Sequence, residues 1–198
     1  MCEPARPLVV IPTFNERENV AQLIPAILAV DSRLQILIVD DGSPDGTSGA
    51  VSKLKDNDYL SRLFLPCRSG KLGLGSAYVH GLKWGLAKGY TFLIQMDADW
   101  SHHPGHLDRM LVLARESDYV VGSRYVPEGG TLNGGAGRKL LSRFASFYSR
   151  RILGVNFADF TGGFNGWSSS VLRGINRDSL KSDGYSFQDE SKSRWWYS

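Results

Sequence analysis

Asp97 and Asp99 stand one residue apart, directly after the apolar run 92–96. Their carboxylate oxygens are the kind of ligand that Mg²⁺ and Mn²⁺ prefer, and a cation bound to them would in turn bind a diphosphate. If the run forms a strand of a parallel sheet, the pair lies at its carboxyl end, where open α/β sheets bind their ligands. A solvated turn is the alternative, because aspartate is common in turns. The spacing thus predicts either a metal-assisted diphosphate site or a polar turn.

Two earlier apolar runs also lead into acidic residues. The run 8–11 is followed by Glu16 and the run 36–39 by Asp41, and each carboxylate can accept hydrogen bonds from a ribose or a base edge at the end of a strand. The ring of Phe14 offers a flat face for the base. Glu16 has a second explanation, since an acid in the first turn of a helix interacts favourably with the helix dipole. Three acidic strand ends together favour a nucleotide site over packing alone.

The alternation of short apolar runs with segments of helical spacing predicts βαβ units and a mostly parallel sheet. The predicted strands are 8–11, 35–39, 62–66, 91–96 and 118–122. The predicted helices are 16–29, 47–55, 70–89 and one that is started by Pro104 and includes Leu113. We therefore expect an α/β fold in which helices flank a Rossmann-like sheet and the acidic turns share one edge.

The glycine-rich segment 70–75 is similar to a dinucleotide-binding fingerprint but departs from its spacing, because Tyr78 occupies the position of the third glycine. The segment does not match a P-loop either. Its glycines would let a helix start close to a bound phosphate, with Lys71 beside that phosphate, or they would form a structural turn. Both interpretations stay open.

Three histidines follow the acidic pair, and His102 with His106 has the i, i+4 step of a metal site. Pro104 argues against zinc, since a helix that starts near this proline leaves His102 off the helical face. The histidines are therefore expected to lie in a hydrophilic loop.

Length and composition favour one globular domain. The chain has 198 residues, of which 42% are hydrophobic and 22% charged. Its net charge of +3 does not suggest a nucleic-acid partner. The two cysteines form neither a disulfide framework nor a metal pair, which fits a reducing compartment. The sequence shows no signal peptide and no run of about 20 apolar residues, so any work at a membrane is expected at its surface.

The segment 138–153 combines apolar residues at helical steps with five basic residues and no acid between positions 138 and 151. Arginine binds phosphate through a planar fork of donors, so a helix of this kind can bind an anionic acceptor or lipid headgroups. A surface helix packed on the sheet would have the same apolar stripe. The concentration of positive charge favours the binding interpretation.

Five motifs in order along the chain carry a resemblance to a known family. They are IPTFNEREN at 11–19, VDDGSPDGT at 39–47, GKLGLG at 70–75, MDAD at 96–99 and VGSRY at 121–125. From about residue 7 to residue 188 the chain resembles the polyprenyl-phosphate (dolichol-phosphate) mannosyltransferases of glycosyltransferase family 2, which have the GT-A fold. The resemblance implies GDP-mannose as donor, a polyprenyl or dolichyl phosphate as acceptor, inversion at the sugar carbon, and Mg²⁺ or Mn²⁺ as cofactor.

The resemblance also implies roles for particular residues. The nucleoside would be bound by Pro12, Phe14, Glu16, Val39 and Asp41. The diphosphate would lie near Asp97, Ala98 and Asp99, and the metal would be bound by Asp97, Asp99 and Ser101. Arg124 would contact the phosphates and take part in catalysis with the two aspartates. The acceptor phosphate would be bound by Arg138 and Arg143.

By the same resemblance, the protein is expected at the cytosolic face of a membrane, which is the endoplasmic reticulum in a eukaryote and the inner membrane in a prokaryote. Whether a separate subunit anchors it there is left open. The GT-A domain is expected to cover residues 1–188, while residues 189–198 match nothing in the family, so the fold is expected to be shortened at its C-terminus. Two alternatives to mannosyl transfer stay open. One is a shortened chain that binds a nucleotide without turnover, and the other is a glucosyltransferase that uses UDP-glucose.

Overall fold

The computed structural model describes residues 6–57, 59–66, 68, 70, 72–123 and 162–174. Several predictions of the sequence fall outside these residues. They are the basic helix 138–153, the roles of Lys71, Arg124, Arg138 and Arg143, and the domain boundary at 188 with the tail that follows it.

In the described part of the chain, six strands form one sheet in the order β3-β2-β1-β4-β6-β5. The strands are β1 (Pro7–Thr13), β2 (Gln35–Asp40), β3 (Leu63–Phe64), β4 (Phe92–Gln95), β5 (Tyr119–Val121) and β6 (Asn165–Ser168). Strand β1 pairs in parallel with β2 and β4, and β2 pairs in parallel with β3. Strand β6 runs antiparallel to β4 and β5 and was not predicted. The expected α/β fold with a mostly parallel sheet is confirmed.

Five helices accompany the sheet within the described residues. They are α1 (Arg17–Val30), α2 (Thr47–Asn57), α3 (Leu74–Ala87), α4 (His106–Leu113) and α5 (Ser169–Gly174). Helix α3 begins later than the predicted residue 70, because Gly70 (φ +133°) and Gly73 (φ +91°) hold backbone angles that a right-handed helix does not allow. No helix of the described segments has the length and apolar character needed to cross a membrane.

Strand residues alternate between two apolar layers, as expected of a sheet that is covered on both faces. On β1, Val9 and Ile11 face the layer formed with α1 and α4, whereas Leu8 and Val10 face the layer formed with α3. Helix α3 lies unusually close to the sheet, since a Cβ added at Gly81 would stand 2.3 Å from a methyl carbon of Val10. The small residue thus sets the depth at which α3 packs.

Candidate active site

The sheet order places β2, β1 and β4 side by side, so their carboxyl ends meet at one edge. Backbone hydrogen bonds join the segments that leave these strands. The N–H of Asp41 donates to the carbonyl of Thr13 at 3.0 Å, and the N–H of Met96 donates to the carbonyl of Val10 at 3.2 Å. The three acidic turns therefore lie at the same edge of the sheet, where open α/β folds bind their ligands.

Asp97 is held by three different parts of the chain. The hydroxyl of Tyr78, on α3, donates to Oδ1 of Asp97 at 2.7 Å. The N–H of Asp97 donates to Nδ1 of His102 at 3.1 Å. Gly163 passes so close that a Cβ there would stand 3.0 Å from Oδ2 of Asp97. The carboxylate keeps 32% of its side-chain surface exposed, so it remains accessible to a ligand.

Asp99 lies in a tight turn. Its Oδ1 accepts the N–H of Ser101 at 3.0 Å, and the intervening Trp100 has φ +62°. A bulky residue with positive φ is an outlier, and backbone strain of this kind concentrates at functional sites. Burial opposes ionisation of Asp99, but hydrogen bonds from the hydroxyl and N–H of Ser101 lower its pKa below the ordinary value. Asp99 is therefore an anion at neutral pH.

Asp97, Asp99 and Ser101 offer carboxylate and hydroxyl oxygens, which is the donor set that suits Mg²⁺ or Mn²⁺. Burial, followed by the charge of Asp97 and the hydrogen bond to it, raises the pKa of Tyr78 well above its ordinary value. Nowhere in the described segments do three or more His, Cys, Asp or Glu side chains form a metal site on their own. A cation here would take further ligands from a bound diphosphate, as Mg²⁺ commonly does.

The histidines do not form a helical metal pair. Helix α4 begins at His106, so His102 precedes it, as the position of Pro104 predicts. His102 lies in the loop before α4, as expected, but its side chain is only 15% exposed and its ring stacks on Phe164 with centroids 5.1 Å apart. His102 thus belongs to the framework that holds the backbone of Asp97.

Asp40 is buried and organises the turn after β2. Its carboxylate accepts hydrogen bonds from four donors, namely the hydroxyls of Thr13 (2.9 Å), Ser43 (2.5 Å) and Ser48 (2.7 Å) and the N–H of Ser43 (3.0 Å). Although burial raises the pKa of Asp40, the hydrogen bonds from Ser43, Ser48 and Thr13 outweigh it and lower that pKa. Asp40 is saturated with partners inside the protein, so its role is structural.

We expect Asp40→Asn to weaken the acid sensitivity of the fold. Because the folded-state pKa of Asp40 is depressed, its stabilising effect is present above the unfolded value of about 3.9 and is lost as the pH falls through the lower folded value. The free energy of unfolding, measured in urea at pH 7, 5, 4 and 3, should fall less steeply below about pH 4 in the variant. Asp56→Asn, at the exposed end of α2, controls for the loss of one charge, and equal slopes in the two variants would contradict the assignment.

Asp41 faces the glycine-rich loop. Its Oδ1 pairs with the guanidinium of Arg68, and its Oδ2 accepts the N–H groups of Gly73 (2.9 Å) and Leu72 (3.2 Å). Arg68 also donates to the hydroxyl of Ser76 at 2.6 Å. Both charged side chains are nearly buried, at 4% exposure for Arg68 and 7% for Asp41. Asp41 therefore fixes this loop and the start of α3, and Arg68 is a partner that the sequence did not predict.

The remaining nucleoside candidates differ in exposure. Phe14 is 37% exposed, whereas Val39 and Ala98 are buried. Glu16 is half-buried at the N-cap of α1, where its Oε2 accepts the side-chain amide of Asn19 at 2.6 Å and where an acid also interacts favourably with the helix dipole. Pro12 is buried in register with Val39. Among these candidates, Phe14 and Glu16 have exposed side-chain surface, whereas Pro12, Val39 and Ala98 are buried.

A family model described as "Glycosyl transferase family 2" matches residues 8–175. Two curated relatives align over 184 residues, or 92% of this chain. The polyprenol monophosphomannose synthase of Mycolicibacterium smegmatis is 43% identical, and the alignment covers 69% of its length. The undecaprenyl-phosphate mannosyltransferase of Micrococcus luteus is 40% identical, with 74% of its length covered.

Two solved structures have a similar fold. A mannosyltransferase from Pyrobaculum calidifontis, in complex with GDP-Man and Mn²⁺, is 20% identical and superposes with a TM-score of 0.59. Glucosyl-3-phosphoglycerate synthase from Mycobacterium tuberculosis, in complex with Mn²⁺, UDP and its product, is 19% identical with a TM-score of 0.67. Each match covers 95% of this chain. This chain spans 50% of the length of the mannosyltransferase and 64% of the length of the synthase. These similarities confirm the expected GT-A fold.

Proposed function

The chain belongs to glycosyl transferase family 2 and is a hexosyltransferase, and we propose that it transfers mannose from GDP-mannose to a polyprenyl or dolichyl phosphate with inversion. The observation that carries this proposal is the acidic turn 97–101, which lies beside the ends of β1 and β2. The names of the two curated relatives support mannose as the sugar and a polyprenyl phosphate as the acceptor. The GDP-Man and Mn²⁺ bound to a protein of the same fold support the donor and the cofactor.

In this proposal the donor diphosphate binds at Asp97, Ala98 and Asp99, with Asp97, Asp99 and Ser101 holding Mg²⁺ or Mn²⁺. The lowered pKa of Asp99 supports the assignment, because it keeps that carboxylate charged at neutral pH. A divalent cation bound there supplies positive charge that stabilises the leaving diphosphate as the glycosidic bond breaks. The protein's own part is to hold both carboxylates in place before the donor arrives.

The nucleoside is assigned to the ends of β1 and β2. Phe14 supplies an exposed ring on which a purine can stack. Glu16 and Asp41 supply carboxylate oxygens for ribose or base donors. An ionised carboxylate has about four acceptor positions, and Asp41 uses three of them for Arg68, Leu72 and Gly73, so one is left for the donor. Pro12 and Val39, which are buried and paired in register at these strand ends, complete the proposed set.

The acceptor phosphate is assigned to Arg138 and Arg143, and Arg124 to the phosphates of the donor or acceptor. These assignments rest on the affinity of arginine for phosphate and on the family pattern, since the three residues lie outside the described segments. A phosphate monoester has a second pKa of about 6, so the lipid phosphate is already an anionic nucleophile at neutral pH. The enzyme then needs to orient its acceptor rather than deprotonate it, and no general base is required.

An acceptor of this kind places the reaction at a membrane surface. We propose that the protein works at the cytosolic face, on the endoplasmic reticulum or on a prokaryotic inner membrane, with or without a separate anchoring subunit. The basic segment 138–153 is the proposed contact with anionic headgroups, because clustered arginines are attracted to such lipids.

The test is transfer of labelled mannose into organic-extractable lipid. With GDP-mannose, Mn²⁺ and a polyprenyl phosphate in a detergent or lipid mixture, we expect a labelled lipid product that disappears when EDTA removes the metal. UDP-glucose is tested as the competing donor. If the chain transfers glucose from UDP-glucose in preference to mannose from GDP-mannose, the proposed sugar becomes glucose. Binding of GDP without product would support the alternative of a nucleotide-binding chain without turnover.

A further inference from the structure

We propose that Tyr78 is a positioning residue, which acts on the donor through the carboxylate of Asp97. The inference rests on the proposed function, in which Asp97 helps to bind the diphosphate and its metal. Tyr78 is completely buried, so it does not contact substrate itself. Its hydroxyl reaches the site through a 2.7 Å hydrogen bond to Oδ1 of Asp97.

The ring of Tyr78 is rigidly placed. It belongs to the apolar layer between α3 and the sheet, which includes Leu8, Val10 and Leu93. One and two turns further along α3, Gly81 and Gly85 let the helix approach until an added Cβ would stand 2.3 Å from Val10 and 2.5 Å from Leu93. A helix packed at this depth has no room to shift, so the hydroxyl is held at a fixed point below the acidic turn.

The other contacts of Asp97 leave the orientation of its carboxylate to the hydroxyl of Tyr78. His102 accepts the backbone N–H of Asp97 at Nδ1, which fixes the main chain, and its Nε2 lies 3.9 Å from Oδ2, beyond hydrogen-bond distance. Gly163 restricts Oδ2 only by close approach, at 3.0 Å from an added Cβ. Tyr78 engages the carboxylate directly, through a 2.7 Å hydrogen bond to Oδ1. The hydrogen bond to Oδ1 therefore fixes the orientation of the Asp97 carboxylate and determines which of its two oxygens faces the exposed side.

The sharpest test is Tyr78→Phe, which removes one oxygen and keeps the ring. Calorimetry with GDP and Mn²⁺ should show about tenfold weaker binding, because a hydrogen bond to a charged group that orients a ligand contributes roughly that factor. Without Mn²⁺, GDP should bind the variant and the unsubstituted chain alike. Tyr90→Phe is the matched control, since Tyr90 is buried in the same layer and its hydroxyl donates to Gln35 instead.

A second pair of variants tests the same carboxylate from the other side. Gly163→Ala brings a methyl group to 3.0 Å from Oδ2 of Asp97 and only to ordinary contact distance, 3.5 Å, from Cε1 of His102, and we expect several-fold weaker GDP·Mn²⁺ binding. Gly49→Ala is its control, because an added Cβ there meets nothing within 4 Å. Circular dichroism and thermal unfolding establish that each variant is folded at the temperature of the binding measurement.

The outcomes separate the inference from the proposed function. Weakened Mn²⁺-dependent binding in Tyr78→Phe and Gly163→Ala, with both controls unchanged, supports the positioning role. Equal effects of Tyr78→Phe and Tyr90→Phe, or no effect of either, overturn it while the donor site stands. If the unsubstituted chain binds neither GDP nor UDP with Mn²⁺, the proposed function fails and the positioning role falls with it.

Discussion

Replacing Asp99 by asparagine is expected to lower the rate of mannosyl transfer by about a thousandfold, the upper range for loss of one preorganised electrostatic group. Asparagine keeps the size of the side chain and an oxygen that can accept the N–H of Ser101, so the turn should fold as before. It removes the negative charge that hydrogen bonds from Ser101 stabilise. In the proposed mechanism, loss of that charge would weaken the hold on the divalent cation whose positive charge stabilises the leaving diphosphate.

The measurement is the initial rate of label transfer into lipid at several Mn²⁺ concentrations. Asp108→Asn, an exposed acid in the first turn of α4, makes the same change in net charge away from the acidic turn and should leave the rate nearly unchanged. Higher Mn²⁺ should restore part of the activity of Asp99→Asn if the defect lies in metal binding. A rate within about threefold of the unsubstituted chain would remove Asp99 from the proposed machinery.

The acidic turns could be placed from sequence because their position follows from strand order. Each of the runs before Glu16, Asp41 and Asp97 is short, apolar and followed by helical spacing, which requires parallel strands whose carboxyl ends point the same way. The sequence did not distinguish the roles of the adjacent residues Asp40 and Asp41. Asp40 faces Thr13, Ser43 and Ser48, whereas Asp41 faces the glycine-rich loop, and strand alternation alone does not say which side carries the ligand.

Strand β6 escaped prediction because its composition is poor for a strand. Its four residues Asn165–Ser168 include a glycine, and strand propensity reflects how well a side chain packs on its neighbours. Gly166 is required by one such neighbour, since an added Cβ would stand 2.5 Å from the ring of Phe92 on β4. Trp167 then stacks on Tyr119 of β5, with ring centroids 3.9 Å apart. Tertiary packing, rather than local pattern, makes this segment a strand.

The partners of Asp97 and Asp41 were missed for a related reason. Tyr78 has the position of an apolar residue on α3, and its hydroxyl meets a carboxylate 19 residues away. Arg68 follows a two-residue strand and meets Asp41 27 residues earlier. A buried tyrosine or arginine signals that a polar partner exists, but the sequence does not name that partner.

Arg68→Met is expected to lower the free energy of unfolding by about 3 kcal/mol or more, because it leaves a buried carboxylate without its charged partner. Arg68 and Asp41 are 4% and 7% exposed, so little water reaches the carboxylate to replace the lost guanidinium. The same substitution removes the hydrogen bond to Ser76 and loosens the start of α3. Urea unfolding followed by circular dichroism gives the free energy directly.

Arg33→Met is the matched control, since the same residue change breaks an ion pair whose members are 33% and 18% exposed, and such exposed pairs contribute less than about 1 kcal/mol. The double variant Arg68→Met with Asp41→Asn separates charge from packing. If the cost of Arg68→Met comes from an unpaired buried charge, neutralising Asp41 should make the double variant more stable than the single one. If the double variant instead loses as much free energy of unfolding as the two single variants together, Arg68 stabilises the loop through packing and through Ser76. Asp41 is then not held by charge.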